Sequence, residues 1–328
     1  MKRRILLFGA GVLLMFLVVS LFGLAEVAAE VVRANLLFVL GAIVLQLAVL
    51  GLFAVRLRII GGGVLTFGKA FRVAMTGSFV SLVTPVAKIG GEPLKVYMLR
   101  DNYGSSKAAA VVVIDDVVDI VTSVLIVLFT FIFFVPTFVP SLIGMFAAFL
   151  LIVIALVAVA IKLFLSPKLL KRIVDWFLDR ISKHPGKKVD HVGMFYDSFR
   201  TLLLKRRATL AAVISITLAI KLLEFAIIWF AFASIGAMLP WHEVMLIWSI
   251  ILAFLFVPWL PGSLGLVEFG AASALVALGL SSAAAAGGIL INRFASFWIV
   301  LAVGLAALGT ARKRNELPSA FYVDHEKV

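Results

Sequence analysis

Long apolar runs alternate with short polar segments, many of them basic, along the 328 residues of the chain. Runs at about 5–24, 37–55, 108–134, 143–163, 208–235 and 284–308 each hold enough apolar residues to cross a ~30 Å hydrocarbon core as a helix. This pattern predicts an all-α, polytopic membrane bundle with about six full spans. Two stretches interrupt it. One lies at 81–100, around Thr84, Pro85, Lys88, Gly90, Gly91, Glu92, Pro93, Lys95 and Arg100. The other lies at 258–270, around Pro258, Pro261, Gly262, Gly265 and Glu268.

Both interruptions combine proline and glycine with a carboxylate. Glu92-Pro93 reads as a helix start, with an acid near the cap and proline in the first turn. Irregular backbone survives at membrane depth only where protein or a wet cavity covers it. Each interruption therefore predicts either a re-entrant helical hairpin or a pair of full spans, giving eight spans in the second case. Basic residues flank 74–86 on both sides, which favours a hairpin that enters and returns on one side. If 244–280 forms a second hairpin from the opposite side, the chain is an inverted repeat, with its site where the two breaks meet.

Composition agrees with the pattern. The chain is 63% hydrophobic, and its mean hydropathy is +1.18. The formal net charge is +13, and the basic residues cluster beside apolar runs. That placement fits membrane topology and anionic headgroups rather than nucleic acid. Met1-Lys2-Arg3-Arg4 resembles a signal-peptide start, but the many later spans favour an uncleaved first span. Arg56 and Arg58 read as the flank that closes the second span. Arg312, Lys313 and Arg314 read likewise at the end of the last, which puts both termini in the cytoplasm of a multi-pass cell-membrane protein. Residues 1–314 are one transmembrane domain. Within it, 164–207 holds 11 Lys+Arg against 4 Asp and reads as a basic, amphipathic cytoplasmic segment; 315–328 is a short tail.

With no cysteine and four scattered histidines, the chain offers no recognisable metal-ligand cluster, and no cofactor is expected. No Walker motif occurs. The candidate chemistry lies in ionisable residues within apolar runs, which are costly there and carry function in membrane proteins. Asp115, Asp116 and Asp119 share the span at 108–134. Lys221 and Glu224, three apart, share the span at 208–235. Asn292 and Arg293 sit in the last span. Lys88, Lys95, Arg100 and Arg293, with helix starts, suit a phosphate. Glu92, Glu268 and Asp119 suit a cationic group or pair with those bases. The plainer alternative is that all these charges neutralise one another and fix helix packing.

The residues of the first interruption resemble the signature of the flippase-like membrane family. That family includes the transmembrane part of bacterial lysylphosphatidylglycerol synthase/flippase and stand-alone relatives. Pro258–Glu268 is similar to its second signature, Asn292-Arg293 with Phe297-Trp298 to its last-span pattern, and Asp119 to its acid after the first signature. The resemblance covers roughly residues 5–310. It implies lipid translocation, with Thr84, Lys88, Gly90, Gly91, Glu92, Lys95, Arg100, Asp119, Gly262, Gly265, Glu268, Asn292 and Arg293 as substrate-binding or translocation residues. Cargo in the synthase relatives is aminoacylated phosphatidylglycerol; archaeal members are linked to isoprenoid-carrier glycolipids. The family commonly shows an acid followed by arginine where this chain has Asp115-Asp116, so a charge pair is missing or rerouted. No aminoacyl-transferase domain is present, so lysine transfer is not implied.

The expected partners are membrane lipids with anionic or phosphate-bearing headgroups, and a second copy of the chain or a lipid-modifying enzyme. Three other classes compete. A metal-dependent membrane enzyme could use Asp115, Asp116 and Asp119. A non-catalytic partner protein and an ion-coupled solute transporter are the others.

Overall fold

The computed structural model describes residues 2–84, 90–134, 207–255 and 261–318, with single positions at 166, 193 and 201. The span expected at 143–163 and nearly all of the basic segment 164–207 lie outside the described residues, as does Lys88. The described residues form ten helices. They are α1 (Lys2–Leu21), α2 (Leu24–Arg33), α3 (Leu36–Ile60), α4 (Phe67–Val83), α5 (Glu92–Tyr103), α6 (Ser105–Phe133), α7 (Arg207–Ala233), α8 (Trp241–Leu255), α9 (Leu266–Ala277) and α10 (Ser282–Lys313).

Three of them, α3, α7 and α10, are each long and apolar enough to cross a membrane. The first span departs from its expected shape. Residues 24–33, which lie between the first two apolar runs, are helical, and α2 turns away from α1 by 96°. Gly23, at φ +89, makes the corner. The second span is longer than its apolar run, because α3 continues through Arg56 and Arg58 to Ile60.

Both interruptions are real breaks between short helices. Helices α5 and α9 have 12 residues each, about 18 Å at helical rise, which is too short to span alone. Pro93 lies in the first turn of α5, where its missing N–H costs nothing. A short 3₁₀ turn, Pro261–Ser263, leads into α9, and this turn packs against α4. The second interruption thus touches the helix that leads into the first.

Hydrophobic packing makes two main cores. One gathers Val127 and Phe131 of α6, Phe225 and Ile228 of α7, Trp248 of α8, Val267 and Leu275 of α9, and Ile289 of α10. The other gathers Leu57, Met75, Leu94, Ile114, Val118, Val213 and Ala307, from α3, α4, α5, α6, α7 and the far half of α10. Helices α6, α7 and α10 run through both. Their ionisable residues (Asp115, Asp116, Asp119, Lys221, Glu224, Arg293) fall near the changeover from one core to the other. Within α10 a π-helical turn, Phe294–Trp298, follows Arg293 directly, and such turns recur at functional positions.

Candidate functional site

Three helices build the largest ionised group. Arg56 of α3 donates from Nε to Asp115 (2.6 Å) and from Nη1 to Asp119 (3.2 Å), both on α6, and to Thr217 of α7 (3.2 Å). Asp115 and Asp119 are one helical turn apart, so one guanidinium bridges both. Lys221 of α7 lies 3.0 Å from Asp119 and 3.3 Å from Glu224. The Trp248 indole N–H, from α8, donates to Glu224 (2.9 Å), and its ring lies 5.4 Å from the Lys221 ammonium. The result is one continuous chain of charges from Asp115 to Glu224, ended by the neutral Trp248 N–H, with three carboxylates around two bases.

Arg56 corrects the expectation that it flanks the second span. Arg56 and Arg58 are two residues apart and therefore point to nearly opposite sides of α3. Arg58 is exposed, and Arg56 is buried at 2% exposure. That spacing was the available signal that the two arginines could not share one environment. Trp248 and Thr217 carried no such signal, because only folding brings them to the charged groups.

The first interruption contributes a second, smaller group. Lys95 lies 3.1 Å from Glu92 on its own helix and 3.9 Å from Asp116 on α6. The lysine stem crosses α4 at Gly77, where a side chain would overlap it. Ser81 of α4 accepts a hydrogen bond from the Gly91 N–H (2.9 Å), tying the two helices together. Thr84 donates to the Val80 carbonyl, and any side chain at Gly90 would overlap it. Arg100 is elsewhere. It is exposed two turns further along α5, over the Tyr97 ring at 3.8 Å and 3.3 Å from Asp101. The three acids of α6 therefore divide: Asp115 and Asp119 face Arg56, and Asp116 faces Lys95.

The second interruption is a closed lock. Glu268 accepts from the Gly265 N–H (2.6 Å) with one oxygen and from Arg293 Nε (2.7 Å) with the other. Arg293 also donates to the Gly262 carbonyl (2.7 Å), and its guanidinium lies 4.7 Å from the Phe297 ring centre. Gly262 (φ +61) and Gly265 (φ +83) hold conformations that side chains resist, with Phe297 and Leu14 filling the space beside them. Asn292 is buried next to Arg293. Glu268 and Arg293 side chains are 3% and 4% exposed, so this pair is dry and locally satisfied.

Accessibility separates these groups. In the first two, each carboxylate is more open than its base: Asp116 at 34%, Glu224 at 24%, Asp119 at 23% and Glu92 at 18%, against Lys95 at 11%, Lys221 at 4% and Arg56 at 3%. The bases sit behind and the acids in front. Among the described residues, no three His, Asp or Glu side chains are grouped to hold a metal ion. Asp115, Asp116 and Asp119 are engaged with cations instead.

A family model for the lysylphosphatidylglycerol synthase transmembrane region matches residues 4–304. The chain belongs to that family. It is also similar to curated UPF0104 membrane proteins. One, from Methanothermobacter thermautotrophicus, is 26% identical over 312 residues, covering 91% of this chain and 92% of that protein. Another, from Pyrococcus horikoshii, is 24% identical over 320 residues, covering 92% and 95%. No solved structure matches the chain. Membership places it among multi-pass membrane proteins, in agreement with the apolar helices. At Asp115-Asp116, where the resemblance leads one to expect an acid followed by arginine, the arginine that meets Asp115 is Arg56, from another helix.

Proposed function

We propose that the protein moves the head of a membrane lipid across the bilayer, along the ionised layer between its two cores, while the tail stays in hydrocarbon. One observation carries this reading. Charged side chains from α3, α5, α6 and α7, joined by the Trp248 N–H of α8, gather near the changeover between the cores, with their carboxylates on the accessible side. A charged head cannot cross hydrocarbon unaided, and such a layer replaces part of its hydration. The order of the groups suggests how a head would bind. A cationic or hydrogen-bond-donating portion meets Asp116, Asp119 and Glu92 first. A phosphate would then compete for Lys95, whose 3.9 Å contact with Asp116 is the loosest in the group.

The resemblance in sequence supports the same class of function, and the basic helix ends support cytoplasmic termini. The two short-helix pairs, with the second break packed on α4, support an inverted pair of hairpins. In this reading the first hairpin carries the accessible ionised groups, and the second, closed by Glu268 and Arg293, is scaffold. The metal-dependent enzyme is the weaker reading, since its three acids are already held by bases.

The test is reconstitution in liposomes carrying headgroup-labelled lipids in separate cationic, zwitterionic and anionic arms, each with and without a chelator. Wild type is expected to speed the crossing of at least one lipid, irrespective of chelator. Glu92→Gln and Asp116→Asn are expected to slow it at least tenfold at unchanged thermal stability. Crossing no faster than in empty liposomes in all three arms overturns the proposal, as do variants that match wild type.

A further inference from the structure

We propose that Arg72 and Glu316 form a releasable clasp that holds α4, and with it the α4–α5 contact, at rest against α10. The two residues are 244 positions apart. Arg72 donates from Nε to one Glu316 oxygen (3.0 Å) and from Nη2 to the other (2.7 Å), a two-pronged match of guanidinium and carboxylate.

The chain is bent to present Glu316. Helix α10 ends at Lys313, Asn315 takes the left-handed conformation (φ +53), and the Glu316 N–H returns to the Ala311 carbonyl (3.1 Å). Asn takes that conformation readily at a helix end, and the Asn315 and Glu316 N–H groups close the last turn on the Arg312 and Ala311 carbonyls. Leu317 anchors the segment that follows, buried at 4% in the core that also contains Leu57 and Leu65. The Arg72 fork engages Glu316 beside that anchor.

Helix α4 packs along α10, with Ala70, Val73, Ala74 and Met75 in the core that also holds Ala307 and Ala311, and two features of that contact stand out. One is the close approach at Gly304, where a side chain would overlap Phe79 and the Met75 carbonyl. The other is the clasp, nearer the start of α4. The apolar packing is non-directional and tolerates small shifts of one helix on the other, whereas the clasp fixes one polar position near the start of α4. Beyond the Gly304 contact lies Ser81, whose hydrogen bond to Gly91 joins α4 to the start of α5.

The clasp also differs in kind from the Glu268–Arg293 lock. Its side chains are 16% and 14% exposed, against 4% and 3% in the lock. Water reaches it, so opening it strands no dry charge, and it is screened by salt. A pair of this kind shifts an equilibrium by a few-fold rather than by orders of magnitude. That suits a device meant to open.

The chain has no cysteine, so single introduced cysteines report cleanly. In protein held in nanodiscs, the labelling rate with a soluble maleimide would be read at Ser78→Cys for α4 and Leu317→Cys for the terminal segment. Glu316→Gln is expected to raise both rates, by about two- to fivefold. High salt is expected to do the same in the parent protein. The charge-reversed pair Arg72→Glu with Glu316→Arg is expected to bring both rates back. Unchanged labelling in Glu316→Gln overturns the proposal. So does a rise at Leu317→Cys without one at Ser78→Cys, since the pair would then anchor only the terminal segment. A rise that charge reversal does not correct overturns it as well, because misfolding would explain it. These rates do not depend on lipid transport, so they can fail while the transport reading stands.

Discussion

Arg56 on α3 reaches Asp115 on α6 across 2.6 Å, with both side chains at or below 10% exposure. The same guanidinium holds Asp119 and touches Thr217. One residue therefore neutralises two acids on a neighbouring helix and joins three helices. Removing it leaves both carboxylates without the cation that bridges them, with Lys221 beside Asp119 and Lys95 acting on Asp115 as the remaining bases. Arg56→Met is expected to destabilise the protein by about 3–5 kcal/mol, seen as a fall in the thermal unfolding midpoint in detergent. Adding Asp115→Asn and Asp119→Asn should recover most of the loss, since no buried charge is then stranded.

Glu268 and Arg293 make the tighter test of the scaffold reading. Glu268→Leu or Arg293→Met alone should each cost about 3 kcal/mol or more, because the survivor is a dry, unpaired charge. The double variant should cost clearly less than the sum, with a coupling above about 1 kcal/mol in a double-mutant cycle. Lipid movement per folded molecule should be unaffected in the double variant if this pair is scaffold. A loss of movement at full stability would return Glu268 and Arg293 to the translocation path.

Gly262 and Gly279 separate two costs that usually occur together. Both have positive φ, but Phe297 fills the space beside Gly262, and nothing lies within 4 Å of a side chain at Gly279. Gly279→Ala should cost about 1 kcal/mol, from backbone conformation alone. Gly262→Ala should cost about 1–3 kcal/mol more, from overlap with the ring. Equal melting shifts for the two would refute the packing of Phe297 over the break.

Trp248 is expected to matter through one atom. Its N–H donates to Glu224, and its ring meets Phe225 edge-on at 5.3 Å. Trp248→Phe keeps most of the packing and loses the donor, at about 1–2 kcal/mol. Trp248→Ala loses both, at about 3–5 kcal/mol. Thermal unfolding of the two variants side by side distinguishes a hydrogen-bonding role from a purely packing one.

Much of the architecture was legible in the order of the residues. The helix start at Glu92-Pro93, both breaks and the membrane class were readable because they depend on local composition and on periods of a few residues. The Lys221–Glu224 pair was readable too, since three residues on a helix bring side chains to one face. The boundaries were less so. Apolar content ended the second span before Arg56, whereas the backbone continues helical to Ile60 because the partner that satisfies Arg56 is on another helix. The α2 segment read as loop because its glutamates interrupt an apolar run, yet Val27 buries at 1% beneath them. Arg100, grouped by sequence with the first break, points away from it, since two turns of helix separate it from Glu92.

What the chain determined by itself is its solvent: apolar runs of this length fold as membrane helices, and proline with glycine breaks them wherever it occurs. Those are effects of composition and of near neighbours, so a sequence states them directly. Only the tertiary structure decided which charges meet. It gave Asp115 and Asp119 to Arg56, gave Asp116 to Lys95, and enclosed Glu268 with Arg293 away from the accessible set. A buried charge takes whichever counter-charge packing brings within a few ångströms, and that choice depends on how distant helices fit together.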